Sequence, residues 1–382
     1  MTKRSTSKSP AAGVSTVADF DRAMERLSPT RLAQDWDNVG LLVGDPRARI
    51  RRVLLCIDLT PAVIPEAIKE KIDLILAYHP PIFKPINRLR ADSPDTDAAV
   101  FECIRRGIAI YATHTALDAA DGGTNDVIAR ACGIKATEPL EYVDDPSESE
   151  CKLVVFVPAA DLTKVTDAMF AAGAGHIGDY AHCSFRSAGQ GTFLGGETTD
   201  PTIGERGRLE TIDELRLETI VKTQDLPAVL RAMLRANSYD EPAFDIYPLK
   251  PRPVRGIGRV GALPKSVTLR SLARKLKRAT KADTVQTVGP QDQPLERAII
   301  VVGAAGSLPF RLDLCQQDVI VTGEIRHHDA LTMLRVGCTA IALGHWASER
   351  PVLEPLARRL QSILPGVNMR TSEADEDPFR GI

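Results

Sequence analysis

The 382-residue sequence predicts an α/β protein: a layered α/β core built from its N- and C-terminal halves, with a ferredoxin-like α+β domain inserted between them. Three observations predict this. Short apolar runs alternate with helical patterns early in the chain. The same alternation returns near its end. The stretch between reads strand, helix, strand, strand, helix, strand. With 43% hydrophobic and 26% charged residues, the chain has ample apolar material for a core, and its length suits two or three domains.

In chain order, residues 1–16 are basic and Ser-rich without an apolar stretch of signal-peptide length, and read as a disordered tail. The first half of the core spans 17–150. It opens with a helix, because Val17, Phe20, Met24 and Leu27 recur at helical spacing. Val53–Ile57, Leu74–Ala77 and Ile108–Ala112 read as strands and Asp97–Arg106 as a helix, the pattern of a largely parallel, helix-covered sheet.

Residues 151–250 form the inserted βαββαβ domain. Its strands are the run after Cys151, His182–Phe185, Leu215–Val221 and Ala243–Tyr247; its helices are Leu162–Ala172 and Leu226–Ala236. Pro248–Pro253 is its exit hinge. The second half of the core, 251–371, has strands at Ala298–Val302, Val319–Val321 and Thr339–Leu343. Residues 372–382 read as an acidic, disordered tail.

Composition narrows the function. A net charge of −2 gives no global pull toward nucleic acid or anionic membrane, so neither is expected as a partner. The basic run Arg270–Lys281 reads as the solvated face of an amphipathic helix. Seven single cysteines without a CxxC pair argue for reduced thiols and a cytoplasmic location. No apolar run reaches the roughly 20 residues that span a bilayer. GIGRVG at 256–261 matches a dinucleotide fingerprint, but a Pro-rich linker precedes it and Pro264 follows, so it reads as a chance match.

The histidines carry the chemistry. Of seven, those at 79, 114, 327, 328 and 345 fall shortly after apolar strand-like runs, where open α/β sheets place their ligand sites. His79 follows one strand, His114 and Asp118 the next, and His345 and Glu349 the last. A helix starting near Gly344 sets His345 and Glu349 on one face, roughly 6 Å apart along it. Imidazole with carboxylate suits zinc, manganese or iron, and a cation with open positions activates water at neutral pH. Each residue also has an ordinary reading: a hydrogen-bonded loop histidine, a cap for Asp118, a solvated helix pair for His345 and Glu349. His327 and His328 point about 100° apart on a helix, so they read as substrate or neighbouring contacts rather than joint ligands, with plain surface residues as the alternative. His176 and His182 read as structural.

DWDNVGLLVGD, AYHPPIF, THTALD, TGEIRHHDAL and GHWASER together resemble the signature segments of the dinuclear metal-centre family, which includes GTP cyclohydrolase I type 2 homologues and Nif-three-like proteins. The likeness runs from about residue 17 to 371, and the insert resembles that of the long bacterial members, similar in architecture to P-II signalling proteins. The resemblance implies a homohexamer with paired metal sites. It implies one cation on His79, Asp118 and Glu349 and a second on His345 and Glu349, with one or two per subunit. The sequence departs from the family at Tyr78, which stands where a second-site histidine ligand is expected; a neutral phenol is a poor ligand. Two functions are in view. One is a metal-dependent hydrolase, of cyclohydrolase or phosphoesterase type, acting on a nucleotide-like or heterocyclic small molecule, with His114 and His328 moving protons. The other is a non-catalytic scaffold or sensor that binds metal or a small ligand.

Overall fold

The computed structural model describes residues 15–93, 95–143, 149–250 and 254–381. The chain forms two compact units: residues 1–143 with 254–382, and residues 144–253.

The larger unit opens with α1 (Val17–Leu27). Thr16 caps it: its hydroxyl accepts from the Asp19 amide while the Asp19 carboxylate accepts from the Thr16 amide. The first sheet holds β1 (Gly40–Val43), β2 (Arg52–Cys56), β3 (Leu74–Ala77), β4 (Ala109–Ala112) and, from the far end of the chain, β16 (Asn368–Thr371), in the order β1-β4-β3-β2-β16. All its neighbours are parallel except β1 with β4. Its central strands β2, β3 and β4 are apolar on both faces because both are covered. Leu55, Leu76 and Tyr111 pack with α1 and α11 (Leu353–Ile363); Leu54, Ile75 and Ile110 pack with α2 (Val63–Lys69) and α3 (Thr96–Arg106).

The short helices α4 (His114–Ala119) and α5 (Thr124–Cys132) lead to a two-stranded pair, β5 (Glu141–Tyr142) with β10 (Gly256–Ile257). The second sheet runs β11-β13-β14-β15-β12, from β11 (Arg259–Thr268), β12 (Gln286–Val288), β13 (Pro294–Ala304), β14 (Asp318–Glu324) and β15 (Thr339–Ala342). Its three central strands are parallel and its edges antiparallel. α8 (Leu269–Thr280) and α5 cover one face and α9 (His327–Val336) the other. The run 270–281 forms α8 and its C-cap Lys281; the helix buries Leu269, Leu272 and Leu276 and leaves its basic side outward. GIGRVG leads into a strand rather than a helix. α10 (His345–Glu349) follows β15 directly.

In the smaller unit, β6 (Glu150–Val157), α6 (Leu162–Ala171), β7 (Ser184–Leu194), β8 (Leu209–Lys222), α7 (Leu226–Ala236) and β9 (Phe244–Leu249) build an antiparallel sheet ordered β7-β8-β6-β9. β7 and β8 are longer than expected. Their outer halves are little buried, and that of β7 holds Gly189 and Gly191, so a buried strand's apolar signature is missing there, yet Ser184–Leu194 pairs continuously with Leu209–Thr219.

One expectation is corrected. The acidic C-terminal stretch is not a loose tail. β16 pairing continues as the Ser372 amide donates to the Leu55 carbonyl, and Asp375, 4% exposed, is buried beside β2. Its carboxylate accepts from the amides of Ile57 (2.7 Å) and Asp58 (3.3 Å) and from Trp346 Nε1 (3.2 Å). Acidity suggests solvation, but these buried donors need a carboxylate partner. Residues 1–14 of the expected N-terminal tail lie outside the described residues.

Candidate metal centre

The ends of parallel strands from both sheets supply the site. Tyr78 and His79 prolong β3: their amides donate to the Cys56 and Ile57 carbonyls, so the backbone is fixed before Pro80 and Pro81 turn it away. On the other side Gly344, at φ +90°, turns the chain from β15 into α10, with its amide donating to the Gly323 carbonyl. α10 then sets His345 and Glu349 one turn apart on one face.

Each imidazole is oriented by a carboxylate. His79 Nδ1 lies 2.9 Å from Asp58 Oδ1, and His345 Nδ1 lies 2.8 Å from Glu324 Oε1. With Nδ1 engaged, both Nε2 atoms turn to Glu349: His79 Nε2 is 3.3 Å from Oε2, and His345 Nε2 is 3.3 Å from Oε1. One nitrogen from each histidine and one Glu349 oxygen all lie within 4.8 Å of one another. A carboxylate behind each ring is the arrangement that fixes the tautomer of metal-binding histidines.

Glu349 is 3% exposed, and its Oε2 has no hydrogen-bond partner; the His79 approach has ion-pair distance without hydrogen-bond alignment. Leaving a buried carboxylate oxygen unsatisfied costs stability, and a cation would satisfy it. Burial pushes the Glu349 carboxyl up, but His345 and His79 outweigh it and hold it below the usual range. Burial likewise opposes the charge on His79, yet Asp58 and Glu349 raise it to about 10. For His345, Glu349 is the main cause of a rise to about 9. The site is therefore a carboxylate between two imidazolium groups, whose protons a cation would replace. The donor set of two nitrogens and a carboxylate fits a borderline divalent cation.

The chain as a whole resembles known proteins. The profile of Duf34/NIF3 (NGG1p interacting factor 3) matches residues 15–378. The chain belongs to the Duf34/NIF3 family. It is 37% identical over 361 residues to a Bacillus subtilis protein named GTP cyclohydrolase 1 type 2 homolog, covering 93% of this chain and 95% of that one. A protein of the same name from Halalkalibacterium halodurans is 39% identical over 363 residues, 94% of this chain and 96% of its own. Among solved structures, a Bacillus cereus protein related to NIF3 superposes with a TM-score of 0.76 at 32% identity, over 97% of this chain and all of the other.

In this Duf34/NIF3 chain the expected ligands are grouped differently from the set that the family resemblance implies. His79 stands with His345 and Glu349. Asp118 does not join that cluster; its Oδ1 accepts from the Tyr78 hydroxyl at 2.6 Å and from Thr124 Oγ1. Tyr78 is 1% exposed, and burial together with Asp118 and Glu349 drives its phenol well above the ordinary value, so it is a neutral donor. Burial raises the Asp118 carboxyl to about 6 against the pull of Thr124 and Tyr78.

His114 stands beside the cluster, its ring centroid 5.3 Å from that of His79. Its Nδ1 pairs with Asp37 at 2.8 Å and its amide donates to the Tyr78 carbonyl, which together hold φ at +26°, rare for a residue with a side chain. His328 is exposed in the first turn of α9, and its ring contacts that of His327. The orienting carboxylates Asp58, Glu324 and Asp37 escaped the sequence reading as functional groups. Asp58 had the same signal as His79, a polar residue just past a strand.

Proposed function

We propose that this chain is a metal-dependent, hydrolase-like protein that holds a divalent cation of the zinc, manganese or iron class on His79, His345 and Glu349. One observation carries the reading: two carboxylate-backed imidazoles present Nε2 to a buried Glu349 whose second oxygen lacks a hydrogen-bond partner. When bound, such a cation supplies Lewis acidity and lowers the pKa of a water to about 7.

The chain's own residues do the rest. Glu349 and the two imidazoles fix the cation. Asp58 and Glu324 hold the rings in register. His114, tied at Nδ1 by Asp37, exchanges a proton with substrate at Nε2; His328, on the exposed start of α9, is the more distant candidate for that role. The Tyr78–Asp118 hydrogen bond supports one cation per subunit rather than two, because it engages the residue that stands where a second-site histidine is expected, together with one oxygen of Asp118. The names of the relatives point to a nucleotide-like or heterocyclic substrate, with a phosphoester as the rival.

At larger scale we read the smaller unit as a ferredoxin-like, P-II-type insertion, supported by its βαββαβ order and its β7-β8-β6-β9 sheet. Family resemblance supports a homohexamer. Seven free cysteines, and the lack of any helix long and apolar enough to cross a membrane among the described residues, support a cytoplasmic place. The second reading, a non-catalytic metal-binding scaffold, is favoured by the same Tyr78 substitution.

The test is metal analysis and calorimetry with zinc and manganese, followed by turnover of GTP and a phosphodiester panel. Wild type should bind one equivalent; His79→Ala and Glu349→Gln should weaken binding at least about tenfold. Turnover that vanishes in both variants establishes the enzyme. Tight binding without turnover leaves the scaffold, and unaltered binding in Glu349→Gln removes the centre.

A further inference from the structure

The cation site lies at one end of a row of aromatic rings. His345 and His79 have centroids 5.5 Å apart, His79 and His114 5.3 Å, His114 and Trp36 5.8 Å, and Trp36 and Phe83 6.0 Å. The first three rings are bound into carboxylate pairs. The last two lie open: Trp36 is 59% exposed and Phe83 46%. Exposing two large aromatic rings side by side forgoes burial that folding ordinarily takes.

The loop carrying Trp36 is fixed rather than loose. Asp37 accepts from His114 Nδ1, from the Thr115 amide at 3.0 Å and from the Thr115 hydroxyl. Asn38 Nδ2 donates to the Ile82 carbonyl at 2.6 Å, and the Gln34 amide donates to Thr115 Oγ1 at 3.0 Å. Residues on both sides of Trp36 are thus pinned to the two strand ends that carry His79 and His114. A ring held this way loses little freedom when another ring stacks on it.

We propose that Trp36, with Phe83 at its side, is the stacking platform for a planar heteroaromatic ring of purine size in the substrate. The ring lies on Trp36, and its substituent extends past His114 toward the cation. This deepens the function proposed above and rests on it for what happens at the cation, but not for the binding of the ring. A phosphoester without an aromatic ring gains nothing from Trp36, so the platform separates the two substrate classes left open there.

The chain has two tryptophans, and Trp346 is half-buried with its Nε1 bound to Asp375, so quenching by a stacked ring reports chiefly on Trp36. The probe is guanosine 5′-monophosphate, with ribose 5-phosphate as the ring-free control, titrated into the full chain with and without zinc. Guanosine monophosphate should quench the wild type. Its affinity, read by calorimetry because the Trp36 variants lack the reporter, should fall at least about fivefold in Trp36→Ala and Phe83→Ala combined, and recover in Trp36→Phe, which keeps an aromatic face. Ribose 5-phosphate should not distinguish the variants. Quenching that survives in His79→Ala leaves the platform standing even where the cation reading fails. Equal guanosine monophosphate affinity in wild type and Trp36→Ala overturns the proposal. So does a change of oligomeric state in Trp36→Ala with nucleotide binding intact, which would assign the pair to a contact between subunits.

Discussion

Three histidines of this chain each give Nδ1 to a carboxylate: His79 to Asp58, His114 to Asp37 and His345 to Glu324. The pairing leaves Nε2 as the working atom in every case. Asp58 together with Glu349 raises His79 to about 10, and Glu349, with Glu324 behind it, raises His345 to about 9 in the cation-free chain. At pH 7 both rings therefore hold a proton, and a cation must displace it. Raising the pH removes those protons, so apparent cation affinity should climb with pH up to about 10, most steeply below about 9 where both rings are protonated. Calorimetry in buffers of different ionisation heat should show protons released on binding. An affinity that is flat from pH 6 to 9 would contradict the assignment. His79, His345 and Glu349 were legible in the sequence as strand-end and one-turn partners. The pairing of Asp118 with Tyr78 was not, because nothing in residue order says which strand end a side chain faces.

At the scale of elements, the C-terminal segment after β16 acts as a clasp. Asp375 reaches Ile57 and Asp58 on one side and Trp346 on the other, with Arg350 Nη1 at 3.9 Å. It thereby ties the residue that orients His79 to the helix that carries His345 and Glu349. Asp375→Asn replaces an acceptor oxygen with a donor against buried N–H groups. It should cost about 1–3 kcal/mol of stability in urea unfolding and weaken zinc binding about tenfold or more. Lost stability with unchanged zinc affinity would confine the clasp to folding. The elements themselves were largely readable: the expected strand Leu74–Ala77 coincides with β3, and the expected helix Asp97–Arg106 lies within α3. The β7–β8 hairpin is longer and the tail more ordered than local sequence indicates, since strand pairing holds the one and partners distant in sequence hold the other.

For the whole molecule, every residue of the candidate centre lies in the unit made of 1–143 and 254–382. The strand pair β5–β10 sets Tyr142 opposite Gly256, so the two ends of that unit meet where residues 144–253 leave and return. Replacing 144–253 with a short Gly-Ser linker should leave zinc affinity within about twofold of the full chain, as expected of independent sites. A large loss would show that the smaller unit takes part in the centre.

Local sequence by itself determined the periodic elements, the absence of a long apolar span and the placing of histidines at strand ends. These depend on neighbours a few residues apart. Only the tertiary structure decided which strand ends meet, that Asp118 accepts from Tyr78, that a buried tail carboxylate braces the cluster, and that Trp36 stands open beside it. Those outcomes depend on distances between residues that the chain order leaves far apart, and on burial, which exists only once the sheets have packed.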